Sequence, residues 1–452
     1  MSERSLEAQV LSSPLVAAPV PRRRSVPFLI GMTATACLLL LHGLIWVRSV
    51  ESRGGLERYA RLIDFTATLT GAQLVRTGAG ADLYDLAQQR MAQEQVLAPY
   101  VTLKSDTLLP YIHPPFEALI FAPLMPLPYA TLYLLWSLLT VSAFGGSLLL
   151  LSKTVPIASS SRWLFLLAVG SFSPLHQAFW LGQSSPLVLL GLCGAYAANK
   201  RGRQGWAGVA LTLLVLKPQI LLVLGLLLLL LGRWRTLAVC GGLIAGLGIA
   251  AMPVLGAAWP LHYARFLSGI TNWQGNHNEY PAIMYNWRGL LTNLLGDSWP
   301  GPLALGVTVL TILSLGLLCS AWWWSRGAGV EARAGWQDVL WSLACLIAVL
   351  IAPHLYIHDL VILILPAWLI VSKSVPILSR HIAARVWIFT LWCSYALAFS
   401  SLFRVEDAPA FPVVPSLLLL IAMMIALLRQ ALKYGEPHQR SSLLVGLEEA
   451  GA

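Results

Sequence analysis

Residues 206–231 read WAGVALTLLVLKPQILLVLGLLLLLL, and the basic residues on either side decide the fold. Lys200, Arg201 and Arg203 precede the stretch; Arg233 and Arg235 follow it. Short cytoplasmic loops of membrane proteins collect Lys and Arg. Two basic ends therefore place both ends of the stretch on one side, which requires an even number of crossings. Lys217-Pro218 interrupts the middle, where proline removes a backbone donor and breaks a helix. The stretch is read as a hairpin of two short helices, with Lys217 at or below its outer tip.

The whole chain extends that reading. It has 452 residues, 57% hydrophobic and only 11% charged, about half the charged share of an ordinary soluble domain. The mean hydropathy is +0.70. This excludes a soluble globular enzyme, a disordered chain and a disulfide scaffold. A membrane-spanning helix takes about 20 apolar residues, leaving room for roughly a dozen. The net charge of +10 fits basic inner loops better than nucleic-acid binding. The six cysteines lie in apolar runs without metal-site spacing and read as small buried hydrophobes.

Spans are expected at Pro27–Val47, Ala130–Leu151, Arg162–Trp180, Ser185–Ala198, the two arms of the hairpin, Leu237–Ala258, Leu303–Trp324, Val339–Ala352, Ile357–Val371, Val386–Leu402 and Pro415–Leu428. The segment Pro114–Pro128 is apolar but proline-rich and short, and reads as a re-entrant or interfacial piece. The expected class is an all-α polytopic membrane protein of about twelve helices with both termini cytoplasmic. Its tails are 1–26 and 431–452, and its core is 27–430. Two polar loops, 48–113 and 259–302, face outside. Nineteen of the 30 Lys and Arg fall inside on this topology.

The scarce polar groups on the outer side are the functional candidates. Asp64 lies beside Leu56, Tyr59, Ala60, Ile63 and Ala67, which recur at helical spacing and predict a surface-lying amphipathic helix. Pattern alone allows either a functional carboxylate or a salt bridge to Arg61, three residues back. Asp82 reads as a helix N-cap. His113 stands at the re-entry, as an anion ligand or an interface residue. Gln183 lies on an outer turn, as a substrate ligand or a turn cap. Lys217 is a costly cation at membrane depth, functional by default and otherwise snorkelling. Asn272, Trp273, Asn276, His277, Asn278, Glu279, Tyr285, Asn286, Trp287 and Arg288 combine amides and rings, which suits a carbohydrate or an interfacial belt. His354, His358 and Asp359 end two late helices, with too few spaced ligands for zinc. No nucleotide-binding or common hydrolase motif occurs.

Several of these features occur in a familiar order. Asp64, Gly80-Ala81-Asp82-Leu83-Tyr84, His113-Pro114-Pro115 with Leu124 to Pro128, Gly182-Gln183, Lys217-Pro218 and Pro353-His354 together resemble the GT-C glycosyltransferases, most closely glycosyltransferase family 87. The resemblance implies a GT-C-like fold and transfer of a hexose, mannose first, from a polyprenyl-phosphate donor to an envelope glycolipid or glycan at the outer face. No cofactor or metal is implied. The first-loop aspartate, here Asp64, would be the general base and the reaction inverting. Lys217, Arg288 and His354 are then expected at the donor phosphate, and His113, Gln183, Asn286 and His358 at the substrates. An O-antigen ligase or polymerase and a polyprenyl-lipid flippase are the alternatives.

Overall fold

The computed structural model describes residues 26–377, apart from 104–107, 158–164, 167–168, 171, 270–280, 297–299 and 328–329. Every described element is helical. Among the described residues three helices are long and apolar enough to cross a membrane: Tyr129–Thr154, Trp234–Leu255 and Pro300–Arg326. Shorter apolar helices cover Gln204–Leu216, Pro218–Leu230, Gly335–Ile351 and Ile357–Leu369. The expected spans Val386–Leu402 and Pro415–Leu428, both tails, and the loop residues Asn272 to Glu279 lie outside the described residues.

Helix α1 (Val26–Ser52) leads into the first polar loop, which folds into α2 (Leu56–Ala60), α3 (Phe65–Arg76) and α4 (Leu86–Leu97). The single surface helix expected through Asp64 is therefore two helices, broken between Arg61 and Asp64. It is not surface-lying either. Phe65, Leu69 and Ala72 are fully buried, and the Phe65 ring meets Phe121, Tyr129 and Tyr133 edge-on. Its apolar stripe faces protein, because the neighbouring segments reach it before lipid does. The N-cap of α4 is Asp85, whose carboxylate accepts from Ala87 N and Gln88 N at 2.8 and 2.9 Å. Asp82, the expected cap, ends a 3₁₀ turn instead.

The proline-rich segment forms only the short α5 (Phe116–Phe121) and a 3₁₀ turn, Ala122–Leu124. Then come α6 (Tyr129–Thr154), α7 (Ser173–Trp180) and α8 (Ser185–Lys200). Next, α9 (Gln204–Leu211) continues as a 3₁₀ turn to Leu216, and the chain restarts as α10 (Pro218–Leu230). Lys217 is the break between them. The two arms diverge: α9 is seated against α8 and α11 (Trp234–Leu255), whereas α10 lies along a later helix. Gly208 permits the first contact, since a Cβ there would come within 2.7 Å of Thr236 O. Close packing of small residues holds membrane helices together, because burial from lipid supplies no hydrophobic drive.

The remaining helices are α12 (Trp259–Ser268), α13 (Trp287–Leu295), α14 (Pro300–Arg326), α15 (Val330–Ile351) and α16 (Ile364–Ile377). A 3₁₀ segment, Ile357–Leu363, joins the turn after α15 to α16. α15 is the centre of the core: Leu343 to Val349 are fully buried, and α10 and α14 pack on it. Cys193, Cys240 and Cys345 are buried as expected of small hydrophobes, but Cys37 is exposed on α1.

Candidate active site

Helix breaks from distant parts of the chain meet around one cavity of about 530 Å³. Asp64 enters it from the start of α3, His113 from the re-entry and Gln183 from the turn before α8. Lys217 enters from the break before α10, and His354 and His358 from the turn after α15. Helix ends carry unpaired backbone groups and side chains freed from helical packing, so their convergence concentrates polarity.

Asp64 occupies the N-cap position of α3, yet its carboxylate does not cap the helix. Instead Gln183 Nε2 donates to Asp64 Oδ2 at 2.7 Å. The backbone sets up this contact. Phe65 N donates to Leu181 O at 3.0 Å. Gly182 has φ +67°, and a Cβ there would fall 2.8 Å from Phe65 Cβ. Only glycine lets the turn approach so closely, and Gln183 follows it.

The salt bridge from Asp64 to Arg61 does not form. Arg61 is turned away to Glu57 Oε1 at 2.6 Å and lies 4.4 Å over both the Tyr100 and Tyr129 rings. Among the described residues no Lys, Arg or His is ion-paired with Asp64. The carboxylate is half-buried, held by a neutral amide, and open to the cavity. A carboxylate so placed is able to accept a proton from a group in the cavity.

Lys217 is buried, and its Nζ lies 2.6 Å from Asp359 Oδ1. Ser185 Oγ donates to the same oxygen at 2.8 Å, and His358 Nε2 stands 3.7 Å from Oδ2. The expectation of Lys217 as a cation waiting for phosphate is thus modified: it is already neutralised by a carboxylate from another helix. Its side chain is enclosed by protein groups and does not extend to the surface of the described residues. Pairing with Asp359 offsets part of the cost of burying the charge.

His113 Nδ1 lies 2.7 Å from Glu117 Oε2, and Thr68 Oγ1 donates to that oxygen at 3.2 Å. Glu117 is 2% exposed. Burial pushes its carboxyl up, but the His113 ring beside it, together with Ser184 and Lys217, holds it below its ordinary value.

Two expected site residues are elsewhere. Asn286 caps α13, its Oδ1 accepting from Gly289 N at 2.8 Å, while its Nδ2 donates to Ala352 O at 2.8 Å. It is fully buried, and both ends of the amide are engaged in protein bonds, so it holds the turn that carries His354. Arg288 follows Trp287, whose Nε1 donates to Ser314 on α14, and it does not line the cavity.

Conversely, Glu117, Asp359, Tyr263 and Tyr356 belong to the site and carried no expected role. Glu117 had a readable signal in its spacing, four residues after His113, which lies just ahead of the short helix carrying Glu117. Asp359 had none that pointed to Lys217, because the pair forms only in three dimensions. Among the described residues no group of three His, Cys, Asp or Glu side chains is placed to hold a metal ion.

A model of glycosyltransferase family 87 matches residues 111–353, just over half of the chain. The chain is also similar to a polyprenol-phosphate-mannose-dependent alpha-(1-2)-phosphatidylinositol pentamannoside mannosyltransferase of Mycolicibacterium smegmatis. The two are 26% identical over 375 residues, covering 79% of this chain and 78% of that protein. A protein of the same description from Mycobacterium tuberculosis is 26% identical over 219 residues, covering 47% of this chain and 49% of its own. No solved structure matches.

Proposed function

This chain belongs to glycosyltransferase family 87, and on that premise we propose that it transfers mannose from a polyprenyl-phosphate donor to a glycolipid at the outer face of a bacterial plasma membrane. The single observation that carries the reading is Asp64: a half-buried carboxylate on the cavity wall, fixed by an amide and, among the described residues, ion-paired with no Lys, Arg or His. The relatives described above are named for a mannose donor of this kind and a phosphatidylinositol mannoside acceptor. Around the described helices, the full chain would form a GT-C-like bundle of about twelve spans with both termini inside.

In the proposed reaction an acceptor hydroxyl attacks the anomeric carbon from the face opposite the phosphate. Asp64 takes its proton as the new C–O bond forms. The bond to the phosphate oxygen breaks, its electron pair leaves with polyprenyl phosphate, and configuration inverts. General-base assistance is worth about 10² to 10⁴ in rate. The leaving phosphate gains negative charge, so donors fixed nearby stabilise the transition state. Lys217, shared with Asp359, and His354 line the cavity for that role.

The test is mass spectrometry of the full-length protein with polyprenyl-phosphate hexoses and envelope glycolipids. A hexose-mass gain on the acceptor, with release of polyprenyl phosphate, is expected. Movement of labelled lipid across vesicles without any mass change would replace the reading with a flippase. For the orientation, a cysteine at Ser52 should react with impermeant maleimide in spheroplasts and one at Gly202 should not; the reverse pattern overturns it.

A further inference from the structure

The mechanism above makes no use of the buried acid in the re-entrant segment. Glu117 Oε2 faces His113 Nδ1 at 2.7 Å and also accepts from Thr68 Oγ1. An ionised carboxylate only accepts hydrogen bonds, so Nδ1 carries the hydrogen. The other ring nitrogen, Nε2, has no hydrogen-bond partner among the described residues, and the ring lines the cavity. Thr68 stands one helical turn beyond Asp64 on α3. Glu117 thereby ties the His113 ring to the helix that carries the proposed base.

Charge explains why such a tie is useful. Asp64 and Asp359 line the cavity, with Glu117 directly behind His113. Among the described lining residues Lys217 is the sole Lys or Arg, and Asp359 already holds it. A sugar phosphodiester brings one more negative charge, and the departing polyprenyl phosphate brings nearly two. Such a ligand needs a further cationic donor where it enters. The groups facing His113 are Glu117 and Thr68, the Tyr111 ring at 5.8 Å, and Tyr84, whose hydroxyl donates to the His113 carbonyl. Asp64, Lys217, Tyr263, His354, His358 and Asp359 stand around the same cavity.

We propose that Glu117 is a positioning residue that fixes His113 with Nδ1–H turned inward, so that a protonated Nε2–H faces the cavity and donates to the phosphate of the lipid-linked sugar. Donor binding then takes up one proton. During transfer the phosphate oxygen receives the electron pair of the breaking bond, and the Nε2–H stays hydrogen-bonded to the phosphate. This inference rests on the lipid-phosphate reading of the donor.

Binding of polyprenyl-phosphate mannose to the full-length protein in detergent tests it, measured from about pH 5.5 to about pH 8.5 in buffers of different ionisation enthalpy, a range that brackets histidine titration. Wild-type affinity should tighten toward acid with uptake of one proton. His113→Gln and Glu117→Gln should each weaken binding about tenfold or more at neutral pH, the worth of a charged hydrogen bond, and flatten the pH dependence. The double variant should lose no more than either single one, because the two act as a unit. A folded Glu117→Gln, or a His113→Gln, with wild-type affinity and pH slope overturns the proposal. A second readout does not need the donor. In ¹⁵N-histidine NMR, the signal that disappears in His113→Gln should show a protonated Nδ1 in the wild type; a bare Nδ1 overturns the positioning. A wild type that neither binds nor uses any lipid-phosphate sugar refutes the donor reading, and the NMR signature then judges the role of Glu117 alone.

Discussion

The sixteen-residue helix α8 touches two buried aspartates, one at each end, and they are used differently. At its first residue, Ser185 Oγ donates to Asp359, which holds Lys217. At its last, Lys200 Nζ reaches both oxygens of Asp338 at 3.2 Å, and Tyr196 donates to one of them at 2.8 Å. The Asp338 pair ties the end of α8 to α15, and Ser342 Oγ donates to the Asp338 carbonyl. The Asp359 pair instead borders the cavity, which both Lys217 and Asp359 line. The same lysine–aspartate chemistry is thus a clamp at one end of the helix and a wall of the candidate active site at the other.

The largest expected effect tests what the cavity end has and the far end lacks. Asp64→Asn keeps the shape and removes the basic oxygen. Transfer should fall about a hundredfold or more with melting temperature and donor binding kept. Arg61→Ala should do the opposite, lowering the melting temperature while the folded fraction retains turnover. Near-normal transfer by folded Asp64→Asn would remove the distinction between the two ends.

The two lysines come next. Lys217→Met strands a buried carboxylate and should cost about 3–5 kcal/mol in denaturant unfolding, together with donor binding. Lys200 is about a third exposed on its side chain, so water screens that pair, and Lys200→Met should cost about 1 kcal/mol with activity per folded molecule retained. Adding Asp359→Leu to Lys217→Met should restore stability but not transfer. Adding Asp338→Leu to Lys200→Met should leave transfer intact. Equal behaviour of the two double variants would mean that both pairs are clamps.

Asn286→Ala sharpens the boundary of the site. It removes a helix cap and should cost about 0.5–2 kcal/mol, read as a lower melting temperature, with kcat of the folded enzyme near wild type. The smallest effect is acidic. Glu117 is held below its ordinary value of 4.5, so its hydrogen bond with His113 contributes stability above that value and loses it as pH falls toward the lower folded-state value. The melting temperature of the wild type should therefore drop on acidification below about 4.5, and Glu117→Gln should flatten that drop.

The sequence by itself determined the solvent and the joints. A chain with this apolar content has to be a helical membrane protein, because only helices and closed barrels satisfy their backbones in lipid. The residues that interrupt its helices, such as Gly182, Lys217-Pro218 and Pro353, are visible without coordinates, and the side chains beside them are the ones that line the cavity. Six of the eight expected site residues line that cavity. Tertiary structure alone decided the pairings. Asp64 meets Gln183 across 119 residues, and Ser185 meets Asp359 across 174. It also decided that Arg61 belongs to Glu57, and that Asn286 spends its amide on a helix cap and a carbonyl. Helical periodicity and charge patterning report which local face a residue occupies. A buried ion pair or a held carboxylate depends on which distant helix end packs against that face, and that is settled by how the apolar surfaces of the bundle fit together.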